Sequence, residues 1–243
     1  MADPYYIGSG KPSDHVISAA GTLASFGRAP VTVAPEATLA SGGGDGVNFF
    51  VPLAGNALST TVFPAGTFDM RAERGATLIL YARFAPAAAD ADIFVLEDTS
   101  SDMTVTMRLT DGGATLQCRM DVPSMNTAPV AAVATRAAAD DDFHSFVCLI
   151  DLAIINLGGI VTSEVKAWVD GGGMVSGRAG GRPDPANTPT LVRLGDGGAA
   201  AADVSVAMIY DRKLDDINIP TVHNYLATIT STPVATLFAR DRR

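Results

Sequence analysis

The chain has 243 residues, 47% of them hydrophobic but only 7% aromatic, and a formal net charge of −9 at neutral pH. That excess of acid repels nucleic acid and anionic membrane, and no apolar run approaches the roughly 18 residues needed to cross a bilayer. Length leaves open one large all-β domain or two small ones, since sandwiches run to about 200–250 residues.

Residues 1–46 are rich in Gly, Pro, Ser and Ala, with one short apolar run around Val16–Leu23, and read as an extended N-terminal arm. The start, Met1-Ala2-Asp3-Pro4-Tyr5-Tyr6, carries neither a basic region nor an apolar stretch, so no secretory signal is expected. Ser41–Gly46 is a flexible joint. Asn48–Val51 and Thr60–Phe63 are short strands, stopped by Pro52 and Pro64.

From Ala76 the strands become regular. Thr77–Phe84 alternates, with Leu78, Leu80, Ala82 and Phe84 on one face and Ile79, Tyr81 and Arg83 on the other. Asp92–Glu97 follows. In Met103–Thr110, Met103, Val105, Met107 and Leu109 point inward and Thr104, Thr106, Arg108 and Thr110 outward. Asp111-Gly112-Gly113 turns the chain into Ala114–Asp121, where Leu116, Cys118 and Met120 share a face, so these two strands form a hairpin. Ala128–Ala138 suits a helix by its alanines or a short strand by Val130 and Val133.

The stretch from Phe143 to Gly172 organises the rest. Phe146–Ile150 is apolar on both sides, as in a strand covered on both faces. Val161, Ser163, Val165, Ala167 and Val169 then face one way, and Thr162, Glu164, Lys166, Trp168 and Asp170 the other, toward water. Asp170-Gly171-Gly172 supplies residues that tolerate positive φ, so a tight turn is expected. A loop over 171–187 and strands over Thr190–Leu194 and Asp203–Tyr210 follow. The one helix begins near Pro220, with Val222, Tyr225, Leu226 and Ile229 at helical spacing. The organisation expected is an arm over 1–46, an antiparallel β-sandwich over 47–229 and an extended tail over 230–243.

Cys118 and Cys148 each lie inside a predicted strand among apolar neighbours. A disulfide requires those strands to be adjacent; buried free thiols are the preferred reading.

Between Phe143 and Ala227 the chain resembles the laminin-G-like, concanavalin A-like lectin and glucanase jelly-roll superfamily. The residues that carry the resemblance are Phe143-His144, Trp168-Val169-Asp170-Gly171, Leu194-Gly195, Ile209-Tyr210-Asp211-Arg212 and Leu214-Asp215-Asp216-Ile217. It extends over roughly 47–227, departs from the family pattern at Pro220, and implies a jelly-roll sandwich with a short C-terminal helix.

Glycoside hydrolases on that fold carry three carboxylates at alternate positions of one strand. Here Asp90 and Asp92 are followed by Phe94, and Asp140 and Asp142 by His144, so the set is never completed. Asp140-Asp141-Asp142 reads as a solvated acidic turn rather than a calcium site, as do Asp196 and Asp203. His15, His144 and His223 lack zinc-ligand spacing, and no G-x-S-x-G marks a nucleophile. Gly8-Ser9-Gly10-Lys11 is not a phosphate loop, since its spacing is wrong and Pro12 stands where a hydroxyl is needed. No cofactor, metal or catalytic residue is expected. The candidate contact with a ligand or partner is Trp168, with Asp170 on the same face; an exposed Trp is a sugar-stacking platform or interface anchor, and the alternative is a Trp covered by the loop 172–187.

The resulting expectation is a non-enzymatic structural protein, a bacteriophage virion component in capsid decoration or tail, made in the host cytoplasm. Its partners would be other copies of itself and other virion proteins, reached through the arms by strand addition, with host-glycan contact as a subsidiary role. The alternative is a stand-alone carbohydrate-binding module.

Overall fold

In the computed structural model, side chains are described for residues 75–84, 90–97, 103–111, 114–123, 131–133, 142–152, 158–159, 162–181, Arg193 and most positions from 203 to 226. Elsewhere only the backbone of the strands and helix named below is described. The strands in chain order are β1 Tyr5–Tyr6, β2 Val16–Ile17, β3 Thr22–Ala24, β4 Pro30–Val33, β5 Ala40–Ser41, β6 Phe49–Pro52, β7 Leu58–Thr60 and β8 Gly75–Phe84. They continue as β9 Ala91–Asp98, β10 Thr104–Thr110, β11 Thr115–Asp121, β12 Val130–Thr135, β13 Phe143–Ile155, β14 Val161–Val169, β15 Val175–Gly180, β16 Thr190–Leu194 and β17 Ala202–Tyr210. A 3-10 turn at Asp216–Asn218 leads into the helix α1, Ile219–Ser231.

Two antiparallel sheets result. Sheet A runs β15-β14-β13-β8-β17-β6-β5, with β1 paired to β17, and sheet B runs β12-β11-β10-β9-β16-β7-β4-β3-β2. They pack through the inward-facing alternate residues. Leu78, Leu80, Ala82 and Phe84 of β8, Phe146, Cys148 and Ile150 of β13, and Val165 and Ala167 of β14 share one cluster with Val105, Met107 and Leu109 of β10 and Leu116, Cys118 and Met120 of β11. Phe84 and Phe146 meet edge to face, 5.2 Å between ring centres. The expected inward face of β14 is therefore correct: Ser163, Val165 and Ala167 are fully buried.

The central strands of sheet A are apolar on both sides because both sides are covered. Ile79, Tyr81, Phe143, Val147, Leu149 and Trp168 form a second cluster on the outer face, closed by Ile219 and Leu226 of α1 with Leu214 and Val222 against it. Ile219, Val222 and Leu226 recur at the spacing that puts them on one stripe of the helix. At the border of this cluster Arg83 lies over the Phe143 ring, 5.1 Å from its centre, and bonds Asp203 at 2.6 Å.

Sheet B obeys the simpler alternation. Along β10 inward residues are buried and outward ones partly exposed, residue by residue. A register shift after Met107 leaves Ile93 without a partner on β10, so that Ile93 and Phe94 both enter the core and Asp92 comes out opposite Arg108.

Three expectations change. The stretch 171–187 is not all loop, because Val175, Gly177 and Ala179 alternate against exposed Ser176, Arg178 and Gly180 and pair with β14. That strand carries too little apolar side chain to announce it. A Cβ on Gly177 would lie 2.0 Å from the carbonyl oxygen of Ala131 in β12, so at this border the two sheets meet backbone to backbone. The arm over 1–46 is not wholly extended away from the body: β1 and β5 join sheet A, and β2, β3 and β4 join sheet B. Ala128–Ala138 resolves as the strand β12. Of the expected tail, Thr230 and Ser231 belong to α1, and 232–243 lie outside the described residues.

Candidate functional site

Trp168 and Asp170 stand next to one another in sequence but have different fates. Trp168 is 3% exposed and packs in one cluster with Ile219 and Leu226 of α1, so it offers no open stacking surface; residues 182–187 of the alternative covering loop lie outside the described residues. The expectation of a Trp facing water fails because alternation along β14 distinguishes its two faces but does not show that a helix will lie on the second.

Asp170 follows β14 in the predicted turn. Asp170 and Gly171 have φ of 54° and 65°, and the Gly172 N–H donates to the Val169 carbonyl at 2.9 Å. The turn is tied to β13 from both ends: the Asp170 N–H donates to the Ser145 carbonyl at 2.9 Å, and the Ser145 N–H donates to Asp170 Oδ1 at 3.0 Å. His144 Nδ1 bonds Asp170 Oδ2 at 2.6 Å, and Ser145 Oγ bonds His223 Nδ1 on α1 at 2.7 Å.

Serine, histidine and aspartate thus lie together, yet not as a nucleophilic triad. That chemistry needs the serine on one imidazole nitrogen and the carboxylate on the other, so that the ring carries a proton between them. Here both address Nδ1 of His223, the carboxylate from 3.8 Å, and Ser145 is fully buried. The group is a polar clamp joining β13, the turn and α1. Gly171 sits inside it, and a Cβ there would lie 3.1 Å from Cα of Pro220.

Charged pairs rim the helix-covered face. Glu164, 3% exposed, accepts from Arg178 Nε at 2.7 Å, and its hydrogen bond and charge raise the Arg178 pKa further. Lys166 bonds Asp216 at 2.6 Å and Lys213 bonds Asp151 at 2.5 Å. Both pairs link the sheet to the chain entering α1.

Between the sheets, Cys118 of β11 and Cys148 of β13 are free and buried. Burial, and then the neighbouring Cys148 thiol, raise the Cys118 pKa well above its ordinary value. The free-thiol reading therefore holds. Of the Asp140–Asp142 run only Asp142 is described, exposed before β13.

Among the described residues, an open polar surface lies on the outer face of sheet B. Asp92, Thr104, Thr106, Arg108, Gln117, Arg119 and Asp121 line a groove of about 240 Å³. The register explains their gathering: Thr104 is opposite Asp121, Thr106 opposite Arg119, and Arg108 lies between Asp92 and Gln117. Arg108 Nη1 meets Asp92 Oδ1 at 3.2 Å, and Arg119 Nη2 meets Asp121 Oδ2 at 3.1 Å. All four of these charged side chains remain about two-fifths exposed. Sequence reasoning placed Thr104, Thr106 and Arg108 outward without seeing a site. The available signal was polar alternation in two hairpin strands, whose outward residues become one surface once the register is known.

No protein-family model matches the sequence, and no curated protein is detectably similar to it. Solved structures share the fold. The binding domain of Paraclostridial Mosquitocidal Protein 1 aligns over 91% of this chain and 51% of that chain, with TM-score 0.61 and 10% identity. The binding domain of botulinum neurotoxin serotype D aligns over 84% and 48%, with TM-score 0.57 and 9% identity. That of botulinum neurotoxin DC, solved in complex with SialylT, gives 84% and 48%, 0.56 and 11%. The chain spans about half the length of these domains, and at such identity the likeness is one of fold.

Proposed function

We propose that the protein is a non-catalytic recognition module whose ligand is a glycan. The observation that carries this reading is the contrast between a face of the sandwich closed by α1 and a face left open as a hydroxyl-, amide- and ion-pair-lined groove. The fold likeness to toxin binding domains, one of them solved with SialylT, supports it. So does the clamp around Ser145, whose geometry cannot deliver a nucleophile. The laminin-G-like, concanavalin A-like kinship belongs to the same proposal. It rests on the motif residues from Phe143-His144 to Leu214–Ile217, since the similar structures above are toxin binding domains. The test is an array of varied glycans probed with the protein in multivalent form. Capture of glycan with no new reducing ends is expected; release of reducing ends would overturn the non-catalytic part.

The finer reading places the module in a bacteriophage-like virion, in contact with copies of itself and other virion proteins. Its support is an acidic composition with three lysines, and sheets whose far edges, β2 and β5, are two-residue strands drawn from 1–46. A neighbouring chain could replace such strands by strand addition. Light scattering on the protein with and without 1–46 tests it: an oligomer that falls to monomer is expected, and a monomer unchanged by the deletion would favour a free-standing module.

A further inference from the structure

We propose that the groove on the outer face of sheet B takes one or two units of an uncharged, hydroxyl-rich sugar. Asp92 and Asp121 would accept from its hydroxyls, and Arg108, Arg119 and Gln117 would donate to them. The inference rests on the recognition-module reading and adds where the module binds and with what chemistry.

Size comes first. About 240 Å³ falls below the roughly 300–1,000 Å³ of sites for drug-sized ligands, so a short saccharide fits and a long one would project. The lining contains no aromatic ring, which removes stacking on a pyranose face and leaves hydrogen bonding as the means of recognition.

Charge decides between sugar classes. The lining carries two arginines and two aspartates, which cancel, within a chain of net charge −9. An acidic sugar would be repelled at long range and would find each guanidinium already beside a carboxylate. An uncharged sugar meets no such penalty. Adjacent hydroxyls each donate and accept, and a carboxylate next to a guanidinium offers an acceptor and a donor at matching spacing. The register sets Arg108 opposite Gln117 and Arg119 opposite Thr106, so the two arginines are diagonal neighbours on adjoining strands. Such positions lie about 7–8 Å apart, the span of a single sugar unit with its hydroxyls.

The groove's ion pairs are half-exposed and held by single hydrogen bonds at 3.2 and 3.1 Å, so they yield to a ligand at little cost. Binding without stacking in so shallow a groove is weak at one site, and display of several copies would raise it by avidity.

The experiment measures binding of one oligosaccharide in uncharged and sialylated forms, displayed multivalently, to the native chain and to Asp92→Asn, Arg108→Gln and Arg178→Gln. The native chain should prefer the uncharged form, and moderate salt should leave that binding unchanged. Asp92→Asn and Arg108→Gln should each weaken it about five-fold or more with Tm unchanged, while Arg178→Gln on the opposite sheet should not. If the native chain instead prefers the sialylated form, the sugar class is wrong. If glycan binds the native chain and both groove variants equally, the site is wrong and the recognition-module reading stands. If neither form binds, both fall.

Discussion

The two outer faces of the sandwich are both built from antiparallel strands and meet different surroundings. On sheet A, Ile79, Tyr81, Val147, Leu149 and Trp168 disappear beneath α1; on sheet B, Thr104, Thr106, Arg108, Gln117 and Arg119 stay at the surface. The comparison shows that cover, not strand geometry, determines what a sheet face can do. An apolar face obtains its cover from the chain's own helix and becomes structure. A polar face needs none and stays exposed.

The shared core should give the largest response. Val165 is fully buried between the sheets, and Val165→Asp removes its burial and adds a desolvated charge, together on the order of 4 kcal/mol or more. Loss of the cooperative thermal transition is expected, and an unchanged Tm would mean that β14 faces the other way. Trp168→Ala strips the covered face and should cost about 3–5 kcal/mol by urea unfolding. Thr106→Ala, its counterpart on the open face, should stay within about 0.5 kcal/mol. Equal costs would erase the distinction between the faces.

Gly171→Val loosens the cover without touching the apolar residues. Its φ of 65° and the 3.1 Å approach to Pro220 predict a loss of about 1–3 kcal/mol, with Trp168 fluorescence shifting to the red as α1 lifts. A further effect concerns pH. Because the folded pKa of Cys118 is raised, the thiol's contribution is fully present below the unfolded thiol pKa of about 8.5 and is lost as pH rises from there toward the folded value. Native protein should therefore lose stability between pH 8 and 10 more steeply than Cys118→Ala, by at most about 1.4 kcal/mol per pH unit. Parallel curves would contradict the burial assigned to this thiol.

The strands were legible wherever side chains are large enough to alternate visibly. β8, β10, β11, β14 and β17 lie within a residue or two of their expected positions, and the turn at Asp170-Gly171 has the positive φ that its residues suggest. β15 escaped because Val, Ser, Gly, Arg, Ala and Gly carry too little apolar mass to mark a face. Trp168 was misjudged because what covers a strand comes from α1, some fifty residues later, and no local pattern records that contact. The groove was invisible for a related reason: Arg108 and Gln117 become neighbours only through a register that the sequence leaves unstated. The clamp at Ser145 was absent from the sequence reading because it needs a β13 backbone, a turn carboxylate and a helix imidazole brought together.

The backbone contact between Gly177 and Ala131 gives the molecule a direction. Where β12 and β15 meet, the two sheets draw together and leave little room for another strand to enter, and bulk at Gly177 would wedge them apart. The opposite margins end in β2 and β5, strands of two residues each. The groove spans β9 to β11, beside the sealed margin. A strand added at β2 or β5 would therefore lie at the margin away from the groove.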